Sequence, residues 1–147
     1  MRRLLLALCA LTLSPALWAT EPLQSMDALE SDIRTCLLKP AAKPTCFQTI
    51  LSRSLLPGFE KLAPIAMQMD DLLVQWLDGQ KIFAVHLVKQ HKAGTLFEKR
   101  TYIIEDTSGS LMVMKLAVLR QLGKPYIFSF NLVSGQDEAE EALDIKS

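Results

Sequence analysis

The stretch LMVMKLAVLRQL, residues 111–122, decides the fold. Its Leu, Met, Ala and Lys content favours a helix, which Gly123 could close as a C-cap. Its surroundings favour a strand. Gln121-Leu122-Gly123-Lys124 then forms a tight hairpin turn into Pro125 and the apolar run that follows. We read 111–122 as a strand. The apolar period around it is 2, and the segment becomes the third member of an antiparallel set.

Working outward, Lys81 to Gln90 alternates and is rich in β-branched residues, and His91-Lys92-Ala93-Gly94 reads as a turn. Thr95 to Glu105 is the second strand, followed by the turn signal Asp106-Thr107-Ser108-Gly109. Tyr126 to Val133 is the last strand, closed by Ser134-Gly135. The tail from Gln136 is acidic, with Glu138, Glu140 and Glu141, and is read as one loose helical turn.

Before Gly79 the period is helical. Ser25 is a candidate N-cap for a helix with Met26, Leu29, Ile33 and Leu37 on one face, stopped by Pro40. Thr45 with Gln48 three residues on reads as a capping box opening a second helix, with Phe47, Ile50, Leu51 and Leu55 as its stripe and Pro57-Gly58 at its end. Pro64 fits the first turn of a third helix carrying Ile65, Met69, Leu72, Leu73, Trp76 and Leu77, and Gly79 is its left-handed terminator. Helices first and strands after give an α+β fold: about three N-terminal helices, then a curled antiparallel sheet of about four strands around the long helix. This resembles cystatin-like and NTF2-like domains in the order of elements alone, a likeness of shape that carries no function.

The N-terminus bears on location. Arg2 and Arg3 precede an apolar run from Leu4 to Leu13, Ser14-Pro15 breaks it, and small Ala19 follows Trp18. These are the three parts of a secretory signal peptide, with cleavage expected after Ala19. The run is about half the roughly 20 residues a membrane helix needs. Cys9 inside it, preceded by bulky Leu8, fits a lipoprotein signal poorly. The expected arrangement is a signal peptide at 1–19 and a single domain over 20–147, periplasmic or secreted, with no membrane span after processing. The 147-residue chain has 16 Lys+Arg and 16 Asp+Glu. Without 1–19 it keeps 14 basic and 16 acidic residues, a formal charge of −2. That balance gives no electrostatic footprint for nucleic acid.

Removing 1–19 also leaves two cysteines, Cys36 and Cys46, at the end of the first helix and the start of the second. In an oxidising compartment they are expected to bond and staple a helical hairpin. Ten residues of separation is far from a redox motif. His86 and His91, five apart, should fall on opposite faces of a strand, and adjacent Asp70 and Asp71 diverge on a helix, so no metal site is expected. No Gly-x-Ser-x-Gly and no glycine-rich phosphate loop is present, so no catalytic or cofactor-binding residue is assigned.

The sheet itself is the more informative feature. One face should hold Met112, Met114, Leu116 and Val118 with Tyr126, Phe128, Phe130 and Leu132, and should meet the helices. The other holds Leu111, Val113, Lys115, Ala117 and Leu119 with Ile127, Ser129, Asn131 and Val133. That second face is too apolar for one that meets only water. Val113, Lys115, Ala117 and Asn131 are therefore the candidate interface, exposed around a lysine that resists burial. The methionines, Met67 and Met69 with Met112 and Met114, are read as adaptable core packing. The leading functional expectation is an exported, non-catalytic protein of accessory or inhibitor type, binding a protein partner or a second copy. The alternative is a carrier of a small apolar ligand between the sheet and the long helix. A third is a hydrolase-like enzyme using His86 with a carboxylate, Asp70 or Asp71.

Overall fold

The computed structural model describes residues 20–39 and 45–144. The expected signal segment 1–19, with Cys9, and the prolines at 40 and 44 lie outside the described residues, as do 145–147. Among the described residues no helix is long and apolar enough to cross a membrane.

Helix α1, Met26–Leu37, begins where expected, with the Ser25 hydroxyl accepting the Ala28 N–H at 3.0 Å. Its buried stripe is the expected one, Met26, Leu29, Ile33 and Leu37. Helix α2, Cys46–Leu51, is capped differently from the expectation. Thr45 makes no side-chain cap. The Asp70 carboxylate, from the third helix, accepts the N–H groups of Phe47 at 3.0 Å and Gln48 at 2.8 Å. A residue distant in sequence thus satisfies the free amides of α2. The chain leaves α2 through a 3-10 turn, Ser52–Ser54. Leu55 then forms a parallel bridge with Ile127, and the Leu56 N–H donates to the Ile127 carbonyl at 2.8 Å.

Helix α3, Ala63–Leu77, has Pro64 in its first turn and ends with Asp78 at φ 43 and Gly79 at φ 83. Its stripe is shorter than expected. Met69 and Leu73 are buried, while Ile65 and Met67 are exposed. Met67 is therefore not core packing, unlike Met69, Met112 and Met114.

Four antiparallel strands follow: β1 Ile82–Ala93, β2 Phe97–Asp106, β3 Leu111–Gln121 and β4 Lys124–Ser134, in the order β1-β2-β3-β4. The fold is α+β, with an open sheet. Residues 111–121 are a strand paired on both sides, and Leu122-Gly123 make the two-residue turn, both with positive φ. Strand β1 runs past its expected end, because His91, Lys92 and Ala93 pair with Lys99, Glu98 and Phe97, and the turn moves to Gly94–Leu96.

The sheet has three register shifts, and two of them change which of the side chains discussed above share a face. In β4, Val118 pairs with Ile127 but Ala117 with Ser129, so Phe128 is an extra residue. Ile127 thereby joins Phe130 and Leu132 on the helix side, and Tyr126 moves to the other face, the reverse of the simple alternation. Phe128 sits against Phe59, ring centroids 5.5 Å apart. In β1 the register shifts between Leu87 and Lys89, so His86 and His91 lie on the same face, opposite Ile103 and Lys99.

The inner face meets α1, α2 and α3 in one buried cluster that includes Leu29, Ile33, Phe47, Leu51 and Leu73 with Tyr102, Ile104, Met112, Met114, Leu116 and Ile127. Cys36 and Cys46 lie at bonding distance, S–S 2.07 Å, and join α1 to α2 beside this core.

The outer face is covered in part by a fourth helix, α4, Gln136–Ala142, longer than the loose turn expected. Its Ala139 and Ala142 pack on Ile103 and Val113, flanked by Val88 and Leu111. Val113, expected exposed, is 0% exposed, and Ala117 is buried at 6%. The cover is α4, not the first two helices. Ala117 pairs with Lys99 and Ser129 beyond α4.

Candidate functional site

Beyond α4 the outer face opens. Lys115 and Asn131 are directly paired across β3 and β4. Lys115 is partly exposed and Asn131 exposed. Leu119 and Tyr126, also paired, continue the surface toward the Leu122 turn, with Ser129 between. Of the four candidate interface residues, the structure leaves Lys115 and Asn131 open and places Val113 and Ala117 beneath the surface. The open half carries Lys99, Lys115 and Lys124, while α4 beside it carries Asp137, Glu138, Glu140 and Glu141. Charge is thus divided along one face, basic at one end and acidic at the other.

The densest charged cluster lies on the opposite side of the sheet, and the sequence reading did not single it out. Arg100, its side chain 8% exposed, takes a position on β2 that continues the inward row of Tyr102 and Ile104. Its guanidinium donates to Asp27 at 2.5 Å, Glu30 at 2.7 Å and Glu98 at 2.8 Å. Arg34 donates to Glu30 at 2.8 Å and also reaches the Val85 carbonyl on β1. The Tyr102 hydroxyl donates to Glu30 at 3.0 Å.

Burial alone would push Glu30 upward. The bonds from Arg34, Arg100 and Tyr102 outweigh it and hold the carboxyl below its ordinary 4.5. Burial and the Glu30 carboxylate together push the Tyr102 hydroxyl up. Burial works against the charged form of Arg100, but its three carboxylate partners hold it protonated. A groove of about 430 Å³ runs past this cluster, lined by Asp27, Glu30, Ser31, Arg34, Leu87, Gln90 and Arg100. The cluster joins α1 to β1 and β2, setting the carboxylates of Asp27, Glu30 and Glu98 against the guanidiniums of Arg34 and Arg100. The signal for it was Arg100 continuing the inward row of Tyr102 and Ile104, with Asp27, Glu30 and Arg34 about one helical turn apart on α1.

Asp70 is buried and held above its ordinary 3.8, because burial outweighs the amides of Gln48 and Phe47. Its two oxygens are occupied in capping α2. His86 meets Glu105 at 3.2 Å on the outer face, not Asp70, which lies on the helix side. Both groups of that pair are substantially open to water. Among the described residues no three His, Cys, Asp or Glu converge as metal ligands. Where the small-ligand alternative would place a pocket, the buried cluster brings Leu73 and Met69 of α3 together with Leu51 of α2 and the inward side chains of the sheet.

Comparison with protein-family models, with curated proteins and with solved structures finds no match in any of the three.

Proposed function

We propose that this chain is an exported, non-catalytic binding protein that meets a protein partner through the open half of its outer sheet face. The observation that carries the reading is the Lys115–Asn131 pair, left open within a face whose neighbouring residues, Val113 and Ala117, are buried. A lysine there keeps the surface wet in the free protein, while Leu119 and Tyr126 supply apolar and aromatic contact area. The other charged groups with strong ties, Arg100, Glu30 and Asp70, have their bonding capacity taken up in joining helices to sheet and helix to helix.

A photo-crosslinking side chain at Asn131 tests this. It should give one saturable protein adduct in the native cell envelope, and the same group at exposed Gln68 on α3 should give none. Equal, non-saturable labelling at both positions would remove the basis for the site. Export rests on the 1–19 segment and on the Cys36–Cys46 pair, which suits an oxidising compartment. The intact mass of protein recovered from the expressing cell should correspond to a chain beginning at Thr20. A soluble chain that retains 1–19 would contradict export.

A further inference from the structure

The two hairpins β1–β2 and β3–β4 turn at the same end of the sheet, and the Arg120 N–H donates to the Leu96 carbonyl at 2.8 Å, tying one tip to the other. Each tip presents a leucine to water. Leu122 is 97% exposed and Leu96 is 59% exposed. Leu122 also has φ 51, a left-handed conformation that suits Gly, Asn or Asp and is costly for a leucine. A side chain this exposed returns almost nothing to the fold, so folding does not account for a leucine at this position.

The charge around the tips is of one sign. Lys92, Lys99, Arg120 and Lys124 are all exposed there. Within the two hairpin ends, residues 90–100 and 117–127, the only carboxylate is Glu98. It is bonded to Arg100 and Gln90 and lies 3.8 Å from the Lys92 ammonium, whereas Lys99, Arg120 and Lys124 have no carboxylate partner among the described residues. At the opposite end of the sheet Phe83 is also exposed, at 67%, but it lies within β1 and not at a hairpin tip. The β2–β3 turn there is polar, with the Asp106 carboxylate taking the N–H groups of Ser108 and Ser110.

We propose that this hairpin end docks peripherally on an anionic phospholipid surface, with Leu96 and Leu122 entering the acyl boundary and Lys99, Arg120 and Lys124 facing the headgroup phosphates. Apolar insertion and basic attraction are the two contributions that together hold a protein on a membrane where either alone is marginal. The site adjoins the Lys115–Asn131 surface through Lys99 and Lys124 but does not include that pair, so crosslinking at Asn131 and lipid binding can fail independently.

Vesicle flotation of the purified protein tests the proposal. It should float with vesicles containing about one-third phosphatidylglycerol and not with phosphatidylcholine alone, and salt should weaken the binding. Leu96→Ser with Leu122→Asn should lower vesicle affinity about tenfold or more. The fold should be retained, since asparagine suits the left-handed turn position. Arg120→Glu with Lys124→Glu should also abolish flotation. Three results would each overturn the proposal. The unaltered protein could stay unbound to anionic vesicles, or it could bind neutral vesicles equally well. The double leucine variant could float as the unaltered protein does, leaving only diffuse charge attraction.

Discussion

The two faces of one sheet are built to different standards. The inner face meets three helices, a disulfide and a buried arginine cluster, and its large side chains lie almost wholly out of water. The outer face meets one seven-residue helix that offers two alanines to Ile103 and Val113 and then leaves the sheet open. The alternation of a strand requires two faces but does not require both to be structural. Here stability is concentrated on one side, which leaves the other side free to present Lys115 and Asn131. The largest side chain in the outer buried cluster is an isoleucine. The inner cluster holds Phe47 and Tyr102.

That contrast can be broken from the inner side first. Phe47→Ala removes a fully buried ring and should cost about 3–5 kcal/mol in urea unfolding. A loss below about 1 kcal/mol would mean the inner layer collapses around cavities and is not closely packed. Cys36→Ala opens the link between α1 and α2 and should cost about 2–3 kcal/mol. Without reductant, alkylation of the unaltered protein should label neither Cys36 nor Cys46. A chain ending at Gly135 lacks α4 and should lose about 2–3 kcal/mol while remaining cooperative, since Ile103 and Val113 lose their cover along with the two alanines. Complete unfolding of that chain would show the outer face to be as structural as the inner one.

The smallest effects are in acid, and their signs differ. Glu30 is held below its ordinary 4.5 in the fold. The stability it contributes is present above the unfolded value and is lost as pH falls through the folded value. Asp70 is held above its ordinary 3.8, so the folded state takes up its proton first and gains stability as pH falls through that raised value. Glu30→Gln should therefore flatten the acid limb of a stability–pH profile and Asp70→Asn should steepen it. Matching changes in both variants would contradict the opposite environments assigned to these two carboxyls.

The sequence made local features legible and tertiary ones obscure. Ser25 caps α1 through a neighbour three residues away, and period 3.6 and period 2 separate the helices from the strands correctly, including residues 111–121. Thr45 looked like a cap by the same local rule, but Asp70, 23 residues from Phe47, took the position. Strict alternation assigned Ile127 outward and His91 opposite His86, and a single extra residue in each strand reversed both. Val113 and Lys115 looked equivalent in sequence. Only the path of α4 distinguishes them, and an acidic stretch containing Ala139 and Ala142 gave little apolar signal for where it would dock. The Cys36–Cys46 pair was legible from its spacing and from the expectation of export, whereas the Arg100 cluster required knowing that α1 lies against β2.

The boundary between core and surface on the outer face is the central claim, and it falls between two residues on one strand. Urea unfolding of Val113→Glu and Lys115→Glu, measured side by side, tests it most directly. Val113 is 0% exposed beneath α4, so its charged replacement should cost about 3 kcal/mol or more. Lys115 lies at the open edge, so its replacement should shift stability by no more than about 0.5 kcal/mol. If the two variants are destabilised equally, or Lys115→Glu more, the open half of the sheet is part of the fold and not a binding surface.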